Sequence, residues 1–295
     1  MTLGHNSYGK AEIHLVHLDR THEEHRVTDL TVTVDLQGDF DTAHLEGDNT
    51  GLVATDSQKN IVYGLARSDP PGAPESFALR VAAYLLAEYA SVDHARVDVE
   101  AASWLPIQVG DTAFPDAFHR GGGQRRVATA VATAEGERHV LGGLRGLALL
   151  KSANSAFTGF VRDRWTTLPE TDDRILASSV RARWRFSSLE VDFDEQHHRA
   201  TDAISEAFAR HHSESLQQTL YEMGEALLNA CPAVAEVRLS MPNLHHLLVD
   251  LSGVGLDNPN VVFHADDRPY GLIEGVLVRP GASPADSAWQ GPLLT

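Results

Sequence analysis

The stretch from Leu147 to Arg174 places an aromatic ring near a guanidinium, a combination that could bind a ligand. Leu147 to Lys151 is predicted to form a short buried strand. Aromatic, polar and turn-forming residues follow, ahead of a helix-compatible run that reaches Arg174. A planar guanidinium can hold a planar, oxygen-bearing ligand at two points, and the Phe157 ring can cover the face of that ligand. The alternative interpretation is a core aromatic cluster beside a surface arginine.

Lysine is rare in this chain, which makes each lysine a candidate for chemistry. Of the 24 basic residues only Lys10, Lys59 and Lys151 are lysines, and the others are arginines. An ammonium group can lose its proton, whereas a guanidinium cannot, so a lysine retained against this bias can be required as a base. Chance retention and packing of the aliphatic stem are the alternatives for each of the three.

Composition limits the classes of function. The formal net charge of -17 disfavours nucleic acid and anionic membranes as partners, because both would be repelled. No apolar run approaches the roughly 20 residues needed to span a bilayer. The single cysteine, Cys231, can form no internal disulfide and supplies no cysteine cluster for zinc. Together with an N-terminus that lacks an apolar signal and an end, LLT, that lacks a peroxisomal address, this predicts a cytoplasmic protein.

Periodicity predicts strands and helices in a repeated order, which indicates an α+β fold of antiparallel sheets with helices on one face. A helix start is predicted at Thr55, and Gly121 to Gly123 are predicted to form a mobile hairpin loop. Ser213 is predicted to cap the second helix of the second half. The predicted strands are 10–18, 27–36, 94–105, 125–133, 140–150, 178–191, 234–240 and 246–251, and the predicted helices cover 75–90 and 194–229. The tail after Arg279 is predicted to be disordered.

Two further clusters are polar. Asn243 and His245 flank a turn set by Pro242, and Gln217 lies near the predicted start of a helix. Taken singly, a histidine is more often structural than catalytic, and a glutamine at a helix start is usually solvated. Considered together with the three lysines and the stretch that ends at Arg174, these clusters form one set of candidate site residues.

At this point the chain from Tyr8 to Arg279 resembles a known family, the cofactor-independent urate oxidases or uricases, which adopt the tunnelling fold (T-fold). Family-like segments occur in order: YGK, ATDSQKN, LLKSxNSxFxGFxRDxxTTLxETxDRIL, SxQxTxYEM, PNxHHxxVDL and DRPYGLIE. The resemblance implies two tandem T-fold modules, residues 8–145 and 146–279, with 280–295 as a disordered tail. It also implies that the sheets assemble into a barrel-like tunnel in a homotetramer.

The resemblance assigns proton handling to one group of residues. Lys10 and Thr55 would form the proton-handling pair, and the backbone around Asp56 would add a polar contact to the substrate. His245 would tune Lys10 or relay protons to it. Lys10 could act as a base only where burial or a neighbouring charge lowers its pKa.

A second group would bind urate. Arg174 and Gln217 would grip the edge of the purine, Phe157 would stack on its face, and the Leu216 backbone would complete the contacts. Asn243 would hold dioxygen or water above the ring. Urate is a flat anion with oxygen and nitrogen atoms around its rim, which suits a bidentate arginine and an amide that both donates and accepts.

The reaction that the resemblance implies is urate plus O2 and water giving 5-hydroxyisourate and hydrogen peroxide. No metal or flavin is required, because the electron-rich urate anion itself reduces oxygen. In the family the site forms where two subunits meet, Thr55 and Asp56 coming from one chain and Arg174 and Gln217 from its neighbour.

Three positions depart from the family pattern. Ala153 replaces a Ser or Thr, Trp165 replaces a Phe or Tyr, and Leu244 replaces a lysine. Loss of the charge at Leu244 is expected to alter the pKa of His245 or Lys10, whereas the other two are interpreted as adjustments of packing.

Two rival functions stay open at the sequence level. The 16 histidines include adjacent pairs such as His197 and His198, which could ligate a metal. Adjacent histidines on a helix point about 100° apart, however, so one pair seldom chelates one ion. The other rival is a purine- or pterin-binding module that has the fold but lacks oxidase activity.

Overall fold

The computed structural model describes residues 1–291. The strands are β1 (Tyr8–Asp19), β2 (Arg26–Gly38), β3 (Val92–Val109), β4 (Thr112–Thr133), β5 (Arg138–Lys151), β6 (Leu176–Phe186), β7 (Val234–Pro242), β8 (His245–Leu248), β9 (Phe263–Asp266) and β10 (Leu272–Val278). Eight of them form one antiparallel sheet in the order β1-β2-β3-β4-β5-β6-β7-β10, and β8 and β9 form a separate pair. The helices are α1 (Asp41–Leu45), α2 (Thr55–Ser68), α3 (Pro74–Glu88), α4 (Phe193–Arg210), α5 (Leu216–Ala230) and α6 (Asp286–Trp289), with a 3-10 turn at Ser252–Val254.

Alternation along the strands decides which face of the sheet is buried. In β2 the side chains of Leu30, Val32, Val34 and Leu36 are at most 1% exposed, while the residues between them are less buried. Successive side chains of a strand point to opposite faces, so one face of β2 is apolar. Helices α2 to α5 cover that face and share one hydrophobic core with it. The predicted α+β antiparallel architecture is confirmed.

Local sequence explains how the covering helices begin. Pro74 occupies the first turn of α3, where its missing N–H costs no hydrogen bond. Asp192 caps α4 by accepting from the amides of Asp194 and Glu195. At α5 the cap is Ser215. The prediction of Ser213 as this cap is wrong, because the Ser213 hydroxyl donates instead to the Ser215 carbonyl.

The opposite face of the sheet is largely polar in its central strands, and the C-terminal segment crosses it. Ala285 and Ala288 are buried against Leu141 on that face. The Arg96 guanidinium donates to the Gln290 carbonyl at 2.5 Å, and Arg185 donates to the carbonyl of Ser283 at 2.8 Å. The prediction of a disordered tail is therefore wrong for this segment, and helix α6 lies on the face without the other helices. Residues 292–295 lie outside the described part of the chain.

Two further local predictions are wrong. Gly121 to Gly123 do not form a hairpin loop, since they lie inside β4, and the β3–β4 turn is at Gly110 and Asp111. The run that ends at Arg174 is not helical: residues 152–175 are irregular chain held by isolated bridges. Its turn-forming residues and scattered charges supply no apolar face for a helix to bury.

Two features are absent from residues 1–291. None of the helices there combines the length and the apolar character that crossing a membrane requires. The same residues contain no group of three or more His, Cys, Asp or Glu side chains placed to hold a metal ion.

Candidate active site

The loop between β5 and β6 brings Phe157 and Arg174 together. Phe157 and Thr171 exchange backbone hydrogen bonds of 2.7 and 3.2 Å, and the Arg174 amide donates to the Ser155 carbonyl at 2.8 Å. The loop thus folds back on itself. As a result the Arg174 guanidinium carbon lies 5.0 Å from the centre of the Phe157 ring. Phe160 stacks against Phe157 with 4.8 Å between ring centres, which fixes the plane of the ring.

Arg174 is a cation without an internal counterion. Within residues 1–291 no carboxylate lies within ion-pair distance of its guanidinium, and its Nε is buried without a hydrogen-bond partner. Burial lowers the pKa of Arg174 from its ordinary value, yet a guanidinium stays charged at any physiological pH. Arg174 is half-buried, and a partly desolvated, unpaired positive charge is stabilised when an anion binds it. The geometry therefore indicates an anion receptor with an aromatic face.

Helix α5 begins next to this receptor. The Ala156 amide donates to the Ser213 carbonyl at 2.6 Å, which joins the Phe157 loop to the segment that precedes the helix. The Ser215 hydroxyl accepts a hydrogen bond from the backbone amide of Gln218. The backbone amides of Leu216 and Gln217 have no acceptor within residues 1–291. Free amides at a helix N-terminus favour a negative charge. Gln217 is exposed and Leu216 is buried.

Asn243 and His245 complete this part of the site. The backbone amide of Asn243 donates to the Gly271 carbonyl at 2.8 Å, and the backbone amide of Leu244 donates to the Ala177 carbonyl, also at 2.8 Å. These bonds hold the β7–β8 connection against β6 and against the residue that precedes β10. Asn243 Nδ2 lies 3.5 Å from His245 Nδ1, at the limit of a hydrogen bond. A cavity of about 620 Å³ is lined by residues that include Phe157, Arg174, Asn243 and His245.

The remaining predicted residues lie at the other end of the sheet. Thr55 and Asp56 begin α2, which packs against β1, the edge strand that carries Lys10. Asp56 is paired with Lys59, and this hydrogen bond is the main reason why the pKa of Asp56 is lowered. The positive charge of Lys10 contributes to the same shift, so the Lys10 ammonium lies near the start of α2.

The two groups do not meet within one chain. Strand β1, which carries Lys10, and strand β7, which leads to Asn243, are separated by six strand-to-strand steps. At about 4.8 Å for each step, the path along the sheet is about 29 Å. His245 lies with Arg174 and not with Lys10. We call Lys10, Thr55 and Asp56 the proton half-site, and the set with Arg174 the binding half-site.

The three lysines differ in their contacts. Lys59 pairs with Asp56, and Lys151 donates to the His211 carbonyl while lying 5.7 Å from the centre of the Phe208 ring. Lys10 has neither an ion-pair partner nor a hydrogen-bond acceptor within residues 1–291 and is half-buried. Of the three, Lys10 is the one whose ammonium group stays available.

Sequence reasoning missed the acidic residues that shape the binding loop. Asp173 accepts from the Asn154 amide at 2.7 Å, and Glu170 accepts from the Gly159 amide at 3.1 Å. Both bonds cross the loop that carries Phe157. Asn154 and Gly159 adopt positive φ angles of 66° and 70°, so their types are the available signal for such turns.

The residues that depart from the family pattern occupy different settings. Trp165 is 74% exposed, with the Arg164 guanidinium 4.6 Å from its ring centre, so within this chain it fills no core position. Leu244 is half-buried in the connection between Asn243 and His245.

The fold and the two half-sites define a class: proteins that bind a flat anion with an unpaired arginine, and that hold a separate lysine at the far edge of the same sheet. The family model described as Uricase matches residues 6–131 and 140–274. A uricase of Arthrobacter globiformis is 45% identical over 290 residues, which covers 98% of this chain and 94% of the relative. A uricase of Dictyostelium discoideum is 32% identical over 283 residues, 94% of this chain and 98% of the relative. The chain belongs to the uricase family.

Solved structures agree with this placement. The crystal structure of the Arthrobacter globiformis uricase superposes with a TM-score of 0.93 at 44% identity and covers 98% of this chain and 99% of that one. A uricase from Bacillus fastidious superposes with a TM-score of 0.80 at 24% identity, covering 94% of both chains, which speaks for the fold alone. The family resemblance inferred from the sequence segments is confirmed.

Proposed function

We propose that this protein is a urate oxidase that converts urate, O2 and water into 5-hydroxyisourate and hydrogen peroxide. Membership of the uricase family supports the reaction. The observation that carries the proposal is the half-buried Arg174 guanidinium, which has no counterion within residues 1–291 and lies 5.0 Å from the Phe157 ring centre. A flat organic anion satisfies both groups at once.

The binding half-site orients the anion. Arg174 donates two parallel hydrogen bonds to oxygen and nitrogen atoms on one edge of urate, and the Gln217 amide both donates and accepts beside it. Phe157 stacks on the purine face, and the free Leu216 amide adds a donor at the positive end of α5. These contacts fix which edge of urate faces the reacting groups, which is the main contribution of positioning to the rate.

The proton half-site supplies the chemistry. Lys10, acting through the Thr55 hydroxyl, takes a proton from urate, and the Asp56 backbone holds the same edge of the ring. Two electrons pass from the deprotonated urate to O2, and water adds to the oxidised ring as the hydroxyl of 5-hydroxyisourate. Asn243 holds O2 or this water above the ring, and His245, next to Asn243, relays protons to Lys10.

Two copies of the chain are needed for one complete site. The half-sites lie six strands apart, so the proton half-site of one subunit must face the binding half-site of a neighbour. Edge strands β1 and β10 carry main-chain groups that another copy can pair with. We therefore propose a homotetramer with a site at each such interface and a tunnel formed by the joined sheets.

The element order supports two tandem T-fold modules. Strands β1 and β2, helices α2 and α3, and strands β3 and β4 are followed by β5, β6, α4, α5, β7 and β10 in the same order. The division drawn from the sequence, 8–145 and 146–279, falls inside β5, and the repeated order moves the boundary to residues 134–137. We further propose a cytoplasmic enzyme that binds neither nucleic acid nor membranes, in line with the net charge of -17.

The test is the decay of urate absorbance with simultaneous measurement of O2 uptake and peroxide release, in a metal chelator and without added cofactor. The proposal predicts that all three proceed in equal amounts. Urate binding without O2 uptake would instead identify a purine- or pterin-binding module. Loss of turnover in the chelator would support the metal-dependent alternative and contradict cofactor-free oxidation.

A further inference from the structure

The pairing of β1 with β2 is interrupted immediately after Lys10. Lys10 lies opposite Val34, and the next regular pair is Ile13 with Val32, so two residues of β1, Ala11 and Glu12, oppose one residue of β2. This is a β-bulge. Glu12 adopts a positive φ of 55°, and its amide donates to the Thr33 hydroxyl at 3.1 Å. The bulge is therefore built into the strand by a residue in a conformation that non-glycine residues rarely adopt.

The bulge changes which way Lys10 points. Directly opposite residues of an antiparallel pair lie on the same face, and Val32 and Val34 both lie in the core that the helices cover. Lys10 and Ile13 therefore share the helix-covered face although they are three residues apart. In an uninterrupted strand, residues three apart point to opposite faces. Without the bulge, Lys10 would face away from α2 and Thr55.

A second contact ties the same part of β1 to the chain ahead of α2. The Val53 amide donates to the Tyr8 hydroxyl at 2.7 Å, and that hydroxyl lies 3.2 Å from the Val53 carbonyl. Val53 is two residues before Thr55. The Tyr8 ring packs edge-on against Phe40 with 4.8 Å between ring centres. Tyr8 thus sets the spacing between the strand that carries Lys10 and the residue that begins α2.

We propose that Glu12 and Tyr8 are positioning residues for the proton half-site: the bulge turns Lys10 toward α2, and the Tyr8–Val53 contact sets its distance from Thr55. Neither residue is required to touch urate. This inference rests on the proposed function, since it assigns the two residues to the aim of the Lys10 ammonium.

The test compares substitutions that differ in their tolerance of a positive φ. Glu12→Val places a β-branched residue in this conformation, whereas Glu12→Gly and Glu12→Asn adopt it readily. We expect Glu12→Val to lower kcat about 10- to 100-fold, the effect of a misplaced reacting group. We expect glycine or asparagine to restore turnover. Tyr8→Phe removes the hydroxyl and keeps the ring, so it should also lower kcat.

Measuring urate binding in the absence of oxygen distinguishes a positioning role from a purely structural one. Most urate contacts come from the binding half-site, so the dissociation constant of urate should change much less than kcat in Glu12→Val and Tyr8→Phe. Glu23→Val, in the exposed β1–β2 turn, controls for the introduction of a valine. Melting curves show whether each variant is folded, and Tyr8→Phe tests the inference even where Glu12→Val fails to fold.

Three results would decide against the inference. Full kcat in folded Glu12→Val and Tyr8→Phe would overturn the positioning role while the parent enzyme still oxidises urate. Equal losses of kcat and of urate affinity would show a general structural effect. Absence of urate turnover in the parent protein would overturn the proposed function, and the positioning role with it.

Discussion

Replacing Arg174 by methionine should make the protein more stable and unable to bind urate. Methionine keeps an unbranched side chain of similar length and removes the charge. The Arg174 Nε is buried without a partner, and no carboxylate within residues 1–291 balances the guanidinium. The fold therefore carries a buried, unsatisfied donor on a half-buried cation that a bound anion stabilises. Function at this position opposes stability.

The magnitudes follow from the contacts. An unsatisfied buried donor costs about 1–3 kcal/mol, and losing the cation–π contact with Phe157 offsets about 0.5–1 kcal/mol of that gain. A net gain of about 1 kcal/mol raises the melting temperature by about 2 °C. Arg174→Lys keeps the charge and loses one of two charge-assisted hydrogen bonds, about 1.5–3 kcal/mol, so KM for urate should rise about 10- to 150-fold.

Melting of the parent and both variants, with and without urate, checks the first part, and steady-state kinetics by O2 uptake check the second. Urate should raise the melting temperature of the parent and leave that of Arg174→Met unchanged. A fall of several degrees in urate-free Arg174→Met, or an unchanged KM in Arg174→Lys, would show that Arg174 is structural.

Two predictions concern stability. Burial lowers the pKa of His197 in the folded protein to about 3. As the pH falls below the ordinary histidine pKa, the unfolded chain binds a proton at His197 while the folded chain does not, so the free energy of unfolding decreases. Between pH 7 and pH 5 the loss of stability is about 2 kcal/mol. The free energy of unfolding, measured with urea, should depend less on pH in His197→Phe than in the parent. An equal pH dependence would contradict the lowered pKa of His197. A Cβ on Gly142 would lie 2.6 Å from Trp184 Nε1 and 2.9 Å from Glu75 Oε1, so Gly142→Ala should destabilise by about 1–3 kcal/mol. Gly123→Ala, with open space around it, should be neutral, and similar melting temperatures for the two would refute the packing argument.

Local pattern predicted most strands well and failed where long-range pairing decides. Alternation placed strands at 10–18 and 27–36, close to the observed Tyr8–Asp19 and Arg26–Gly38. The glycines from Gly121 to Gly123 were predicted to be a loop, because glycine favours turns. They lie instead at an irregularity inside β4, between Arg120 and Arg125, which pair with Trp104 and Ala102 of β3. The bulge at Glu12 gives no signal in a single sequence, because it is defined by register with β2.

The same limit applies to the site. The sequence brought Phe157 and Arg174 into one hypothesis because they lie in one stretch, and the structure places them in contact. Local pattern alone could not locate Lys10 relative to Arg174, since that distance depends on the order of eight strands; only the family resemblance separated the two groups. The C-terminal segment was predicted to be disordered from its composition. Its Ala288 is buried, and arginines of three different strands, among them Arg96, contact the segment through hydrogen bonds or a cation–π contact. Composition gives no sign of these long-range contacts.

The claim that one site is built from two copies is tested most directly by mixing inactive subunits. Lys10→Met removes the base, and Arg174→Gln removes the anion receptor, so each variant alone should be inactive. When both are unfolded together and reassembled in equal amounts, a site shared between subunits receives both intact halves in about one case in four. We predict recovery of about a quarter of the parent activity. A mixture as inactive as its components, in oligomers shown to contain both chains, would contradict the shared site.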